Sequence, residues 1–159
     1  MPLPIEQIRA VPTRYLAFLI LLLFLPAHLI NLGLAPFNGD EAIRSLVALE
    51  MDLSGNYIAP TMHGAPYINK PPLFNWILLA FFKLFGYFGE YPARTATVFF
   101  LGAYAWAVFR FTRREFGFEF AFLSALMVVT AGRFLLYDSM LGLIDTTFSA
   151  GIYTLFLCF

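Results

Sequence analysis

Three charged side chains stand in one polar stretch of the chain. Asp40 and Glu41 are adjacent and follow a long apolar run, and Lys70 comes thirty residues later, immediately before Pro71 and Pro72. A lysine at the start of a helix is well placed to hold an anion, because the helix N-terminus adds its own partial positive charge. One loop therefore offers two carboxylates and one anion-binding cation.

These residues also have purely structural interpretations. Asp40 could cap a helix, since Asp is favoured at that position and acidic residues in the first turn suit the helix dipole. Lys70 could extend its charge to water or to lipid headgroups. Against this, the rigid turn at Pro66–Tyr67 and the Lys70–Pro71–Pro72 sequence place a turn and a cation on the same surface as the carboxylates.

The composition indicates a membrane protein. The chain has 159 residues, of which 60% are hydrophobic and 19% aromatic. Only 13% are charged, about half the share in an ordinary soluble domain. The net charge of zero gives no indication of nucleic-acid binding. The single cysteine, Cys158, excludes a disulfide within the chain.

Apolar segments predict four transmembrane helices, which cover residues 15–35, 93–111, 118–136 and 140–159. Arginines flank the first two on one side, namely Arg9, Arg14, Arg110, Arg113 and Arg114. Under the positive-inside rule this makes 1–14 and 112–117 cytoplasmic and 36–92 an outer loop. The last span is still apolar at Phe159, so we expect the chain to be a fragment of a longer protein.

Two amphipathic helices are expected inside the outer loop. Apolar residues recur at helical spacing over 41–53, and Gly55 is a suitable C-terminal cap. The segment 56–72 carries Pro and Gly at too many positions for regular structure. Residues 72–86 begin at the proline pair, contain Lys83 and are short for a crossing, which favours a helix lying at the membrane surface.

Several short motifs occur in a characteristic order. They are DEA at 40–42, EM at 50–51, SGNY at 54–57, Pro60, GAPY at 64–67, KPPL at 70–73, Trp76, LFG at 84–86, Glu90 and AR at 93–94. This order resembles the membrane-embedded GT-C glycosyltransferases. The likeness is greatest to the branch containing the aminoarabinose (4-amino-4-deoxy-L-arabinose) lipid A transferases and the protein O-mannosyltransferases, and it covers roughly residues 15–159.

The resemblance implies a fold and a reaction. The fold is an all-α integral membrane protein, here the N-terminal part of a GT-C fold with juxtamembrane helices in its first outer loop. The reaction moves a sugar from a polyprenyl-phosphate donor to a lipid (lipid A-like), protein or glycan acceptor, on the outer face of a bacterial-type inner membrane. We expect the isolated fragment to be inactive. Neither the sugar nor the acceptor can be read from this segment.

Matching the family motifs residue by residue implies roles for individual side chains. Asp40 becomes the base or the acceptor-orienting group, with Glu41 as its support, and Lys70 neutralises the leaving phosphate. Tyr67 supports this site. The breaker-rich segment 56–72 should fold the loop back, so that Asp40 and Lys70 approach one cavity without pairing, because a tight salt bridge would neutralise both charges.

A further family aspartate best matches Asp145, at the outer mouth of the fourth span, and Asp138 matches less well. An acid inside a span costs about 2.5–3.5 kcal/mol at the bilayer centre, which makes it a functional candidate. Near the interface that cost falls, and Asp145 could instead cap a helix together with Thr146 and Thr147.

A metal site is not predicted from this segment. The aminoarabinose-transferase branch commonly has Glu immediately before KPP, where some members use it as a metal ligand. The corresponding residue here is Asn69, a poor ligand for zinc, and a single loop histidine, His63, is more often solvated. A divalent cofactor elsewhere in the protein stays open.

Two other functions compete with a glycosyltransferase. A small non-enzymatic membrane module or a polyprenyl-lipid carrier explains the spans and the lysine, but gives no reason for the adjacent carboxylates. A transporter or channel is disfavoured, because Asp145 is the only well-supported acid within the predicted spans and the sequence shows no broken helices in paired repeats.

Overall fold

A computed structural model describes residues 13–30, 32–133 and 141–158. Its helices are α1 (Thr13–Leu29), α2 (Asp40–Ser54), α3 (Leu73–Phe85), α4 (Glu90–Phe116), α5 (Phe118–Thr130) and α6 (Ile144–Cys158). Between α2 and α3 the strands β1 (Thr61–Met62) and β2 (Ala65–Pro66) form a small antiparallel hairpin. Most of the predicted cytoplasmic N-terminus, residues 1–12, and Asp138 lie outside the described residues.

The first helix tolerates its proline. α1 continues past Pro26 to Leu29, and the Ile30 N–H donates to the Pro26 carbonyl at 3.0 Å. Residues 32–35 then form a turn, so the regular helix is shorter than the apolar run that predicted it. The chain passes through this turn from α1 toward α2.

The predicted amphipathic helix in the loop is confirmed as α2. Its buried face includes Val47, Ala48 and Met51, each 0% exposed. Gly55 ends the helix in the left-handed conformation, with φ 69°, which costs glycine little. The residue that precedes the helix is Gly39, and no side chain caps it. Asp40 is therefore not the N-cap that one interpretation of the sequence proposed.

The third helix packs one face against α2 and α4. Phe74, Leu78 and Phe82 recur every four residues on α3 and are almost fully buried, together with Ala48 of α2 and Ala93 of α4. Burying a Leu or Phe side chain contributes about 1.5–3 kcal/mol. This small core fixes α2 and α3 against the start of α4.

The fourth helix is longer than the span predicted at 93–111. α4 has 27 residues, a length of about 40 Å at 1.5 Å per residue. The arginines at 110, 113 and 114 lie within it rather than in a loop. Gly117, with φ 86°, turns the chain directly into α5.

By length and hydropathy, none of the described helices qualifies alone as a membrane crossing. α3 and α4 qualify together as a pair bent by 118°. The mostly helical architecture is thus confirmed for the described residues, whereas the arrangement of four spans stays a prediction.

A buried ion pair connects the ends of several helices. Arg94 of α4 is 1% exposed and Glu41 of α2 is 0% exposed. The Arg94 side chain donates from Nη2 to Glu41 Oε1 at 2.6 Å and from Nε to Glu41 Oε2 at 3.2 Å. This bidentate geometry matches the planar guanidinium to the carboxylate.

The remaining hydrogen-bonding groups of both side chains are also used. Arg94 donates to three carbonyls in the turn after α1, those of Leu32, Ala35 and Pro36, at 2.7, 2.9 and 3.2 Å. Glu41 accepts from the N–H groups of Asn38 and Gly142 at 3.1 and 2.6 Å. All five guanidinium N–H donors and both carboxylate oxygens are therefore satisfied.

We predict that Arg94→Met destabilises the full-length protein by about 3–5 kcal/mol, because it leaves the buried Glu41 charge without a partner. The double variant Glu41→Leu/Arg94→Met should lose less than Arg94→Met alone, since no unpaired charge remains. Thermal unfolding of the detergent-solubilised variants measures both effects.

The matched control is Asp52→Asn on α2, whose ion pair with Lys83 is partly exposed to solvent and should contribute less than about 1 kcal/mol. Equal losses for Arg94→Met and Asp52→Asn would contradict the assignment of the buried pair as the main constraint.

Candidate functional site

The loop brings Asp40 and Lys70 together. Lys70 Nζ donates to Asp40 Oδ2 at 2.8 Å, and the two side chains are 41% and 48% exposed respectively. The chain reversal expected over 56–72 therefore occurs. The expectation that the two charges would not pair is wrong, because the reversal places them within direct hydrogen-bonding reach.

The ion pair sets the protonation of the aspartate. The hydrogen bond from Lys70 holds the pKa of the Asp40 carboxyl below its usual value. Partial burial opposes this effect, while the positive charges of Lys70 and Arg44 reinforce it. Paired in this way, Asp40 is ionised but is a weaker base than a free aspartate.

A second acid, Glu50 of α2, holds the loop in its reversed path. Its carboxylate accepts from the Thr61 hydroxyl at 2.6 Å and from the N–H groups of His63 and Gly64 at 2.5 and 3.3 Å. His63 and Gly64 form the tip of the hairpin and both have positive φ. The hairpin is therefore attached near the end of α2, and the chain runs back from there toward the start of that helix.

Further contacts guide the chain from the hairpin to α3. The Tyr67 N–H donates to the Pro60 carbonyl at 2.8 Å, which keeps the two sides of the loop together. Trp76 Nε1 donates to the Tyr57 carbonyl at 2.7 Å and fastens the first turn of α3 to the loop. Lys70 lies between these two attachments.

The second predicted catalytic carboxylate, Glu41, has a different environment from its neighbour. It is fully buried and both of its oxygens accept hydrogen bonds from Arg94 and from the backbone. It faces the interior rather than the surface where Asp40 and Lys70 meet. This geometry suits a residue that positions α2 and not one that contacts an acceptor.

The structure places Asp145 in the first turn of α6, which begins at Ile144. It is therefore not the residue that precedes the helix. Arg133 Nη2 donates to Asp145 Oδ2 at 3.1 Å, and both side chains are mostly exposed. Gly142, bonded to Glu41, comes three residues before Asp145, so the starts of α2 and α6 lie close together.

No three His, Cys, Asp or Glu side chains within the described ranges form a group that could hold a metal ion. Asn69 and His63 are both exposed, and the His63 backbone serves the hairpin. The described residues therefore identify no metal site, and a divalent cofactor elsewhere in the protein stays open.

A small cavity of about 290 Å³ adjoins α2. Ala42 and Ser45 contribute one wall from α2, and Phe82 and Phe88 contribute another. The wall is largely apolar. At 3.6 residues per turn, Ala42 lies about 200° around the helix from Asp40, so the cavity adjoins the side of α2 opposite the ion pair.

Sequence reasoning missed three residues at this site. Arg94 was noted only as part of a motif, although a charge at the outer edge of an apolar helix requires a partner. Glu50 was likewise noted only within its EM motif. Arg44, on the same helix as Asp40, is buried despite its charge, which no pattern in the sequence indicates.

Comparison with known proteins gives three related matches. Residues 69–159 match the model of the family described as dolichyl-phosphate-mannose-protein mannosyltransferase. Over 146 residues the chain is 32% identical to an undecaprenyl phosphate-alpha-4-amino-4-deoxy-L-arabinose arabinosyl transferase from Shewanella sediminis. Its fold matches crystal structures of ArnT from Cupriavidus metallidurans, in the apo state and bound to undecaprenyl phosphate, each with TM-score 0.81 and 22% identity.

These matches cover most of this chain but little of the relatives. They include 87% of the chain and 27% of the Shewanella protein, and 90% of the chain and 26% of the ArnT chains. The chain thus spans about a quarter of the length of the relatives it matches.

We predict that Glu50→Gln loosens the hairpin, because a neutral amide is a weaker acceptor for the Thr61 hydroxyl and the His63 and Gly64 N–H groups. Hydrogen exchange measured by mass spectrometry at neutral pH should be faster over 61–67 in this variant. Glu115→Gln, which changes an exposed glutamate on α4, is the control and should leave that segment unchanged.

The same attachment should depend on pH. The hydrogen bond from Thr61 lowers the pKa of Glu50 from 4.5, so its stabilising effect is complete above that value and is lost as the pH falls through the lower, folded-state pKa. Wild-type protection over 61–67, corrected for intrinsic exchange rates, should decline only below about pH 4.5. Protection that is indifferent to Glu50→Gln and to pH would refute the attachment.

Proposed function

The chain belongs to the dolichyl-phosphate-mannose-protein mannosyltransferase family, and on this basis we propose that it is the N-terminal part of a membrane glycosyltransferase. The donor is a polyprenyl-phosphate-linked sugar and the acceptor is a lipid, protein or glycan hydroxyl or phosphate. The observation that carries the proposal is the meeting of Asp40 and Lys70 at one point of the loop. A base and a phosphate-binding cation are the two groups that this reaction requires.

The proposed reaction exchanges one bond at the sugar C1. The acceptor oxygen attacks C1 with inversion while the bond from C1 to the lipid phosphate oxygen breaks and its electron pair leaves with the phosphate. Asp40 takes the proton from a hydroxyl acceptor, or orients the oxygen of an acceptor that is already ionised. Lys70 neutralises the charge that develops on the leaving lipid phosphate.

The ion pair supports this division of labour. A phosphate bound to Lys70 takes the lysine away from Asp40, so the carboxylate oxygen that was bonded to the lysine is free to accept the proton of the acceptor. Donor binding and activation of the base are then one event. The ion pair of Asp40 with Lys70, which the sequence analysis expected to be absent, thereby couples donor binding to release of the base.

The other predicted site residues receive supporting roles in the proposal. Glu41 positions α2 through Arg94 rather than contacting substrate. We assign Asp145, which follows Gly142 near the start of α2, to contact with the sugar or the acceptor. Tyr67 supports the loop on the path from the hairpin to Lys70.

We place the protein in the bacterial-type inner membrane with residues 36–92 on the extracytoplasmic side. The arginines that end α4 support this orientation, because positively charged residues favour the cytoplasmic side. The amphipathic helices α2 and α3 then lie at the outer membrane surface, where the phosphate of a membrane-embedded polyprenyl donor is found.

We predict that Asp40→Asn in the full-length protein abolishes sugar transfer while retaining binding of undecaprenyl phosphate, since the amide cannot accept the proton. Lys70→Ala should reduce both binding and transfer, by about tenfold or more, because a charge-assisted phosphate contact contributes about 1.5–3 kcal/mol. Transfer is followed with radiolabelled polyprenyl-phosphate sugars, and binding with undecaprenyl phosphate in detergent micelles.

Lys83→Ala is the matched control, as it removes another outer-loop lysine that also pairs with an aspartate. Lys83→Ala should change neither the binding of undecaprenyl phosphate nor sugar transfer. Binding that depends on Lys70 without any transfer would identify a polyprenyl-lipid carrier instead. Near wild-type transfer by Asp40→Asn and Lys70→Ala, with both variants folded, would refute the proposed site.

A further inference from the structure

A buried arginine stands one helical turn from Asp40. Arg44 is 2% exposed, and its Nη1 atom has no hydrogen-bond partner within the described part of the chain. Its guanidinium lies 6.0 Å from the centre of the Phe74 ring. A cation–π contact of this kind compensates only partly for the water that the charge has lost.

This is an unusual state for an arginine. Buried charges in proteins are ordinarily paired and hydrogen-bonded, because an unpaired one retains a large desolvation penalty. The neighbouring Arg94 illustrates the usual case, with its five N–H donors all engaged. Among the described residues, by contrast, the Nη1 group of Arg44 has no acceptor, and it belongs to a residue four positions from Asp40.

Two acids of α2 precede Arg44 by about one turn, Glu41 by three residues and Asp40 by four, and both oxygens of Glu41 already accept hydrogen bonds from Arg94. Residues four apart on a helix lie on the same face, and the positive charge of Arg44 already acts on Asp40. In the structure the aspartate bonds to Lys70 and not to Arg44. Within the described part of the chain, Asp40 thus has two cations in its electrostatic reach and a hydrogen bond to one of them, Lys70.

We propose that Arg44 is the positioning residue that receives Asp40 when the donor phosphate takes Lys70. This inference rests on the proposed function and adds to it the step by which the ion pair is exchanged. Lys70 moves from carboxylate to phosphate, and the Asp40 carboxylate turns toward the unused donor of Arg44. The Lys70 ammonium and the Asp40 carboxylate are then each paired with a new partner, and Asp40 keeps a fixed orientation toward the acceptor.

The proposal makes the effect of Arg44 depend on the presence of Asp40, which a double-mutant cycle measures. In the full-length protein, Arg44→Met should weaken binding of undecaprenyl phosphate by about fivefold, since the freed carboxylate then has no partner. In the Asp40→Asn background the same substitution should change binding by less than about twofold, because no carboxylate needs to be received.

Three further measurements complete the test. Arg44→Lys keeps the charge and should restore most of the binding lost in Arg44→Met, which guards against a simple packing defect over Phe74. Asp40→Asn alone should bind up to about fivefold more tightly than wild type, because Lys70 no longer has to leave a partner. Asp52→Asn, which breaks the similar, partly exposed pair with Lys83 on the same helix, should stay within about twofold of wild type.

Equal weakening by Arg44→Met with and without Asp40 would overturn the inference, and would mean that Arg44 acts on the phosphate itself or on packing. No weakening in either background would overturn it as well. The proposed function fails by a different result, namely wild-type protein that binds undecaprenyl phosphate no better than Lys70→Ala.

Discussion

The buried pair of Glu41 and Arg94 is the constraint on which the described structure depends. Arg94 of α4 binds the turn after α1 and the start of α2, and Glu41 extends the network to Gly142 ahead of α6. Removing water from two charges is costly, so the pair is stable only with every hydrogen bond made. It therefore holds together the turn after α1 and the N-terminal ends of α2, α4 and α6. Because Asp40 is next to Glu41, its position is fixed as well.

The adjacent residues Asp40 and Glu41 consequently have different environments. Glu41 faces inward and is fully saturated, while Asp40 faces the loop and holds an ion pair that is half exposed and exchangeable. An exposed pair contributes little to stability, and for that reason it can be opened by a competing anion. The buried pair therefore fixes the position of Asp40, while the contact of Asp40 with Lys70 at the surface can still be exchanged.

Patterns of the sequence predicted the local elements well. The amphipathic period and Gly55 predicted α2, and the proline pair predicted the start of α3, because both signals act within a few residues. The partnership of Glu41 with Arg94 joins residues 53 positions apart, and its geometry depends on how α4 packs. The direct contact of Asp40 with Lys70 was missed for the same reason, since loop closure at Glu50 decides the distance.

The central claim is that Lys70 breaks its ion pair with Asp40 when it binds the donor phosphate. A cryo-EM structure of the full-length protein with undecaprenyl phosphate tests this most directly. The account predicts density for the phosphate within hydrogen-bond distance of Lys70 Nζ, with Asp40 separated from that lysine and turned toward Arg44. A phosphate bound elsewhere, with the 2.8 Å contact between Lys70 and Asp40 intact, would contradict it.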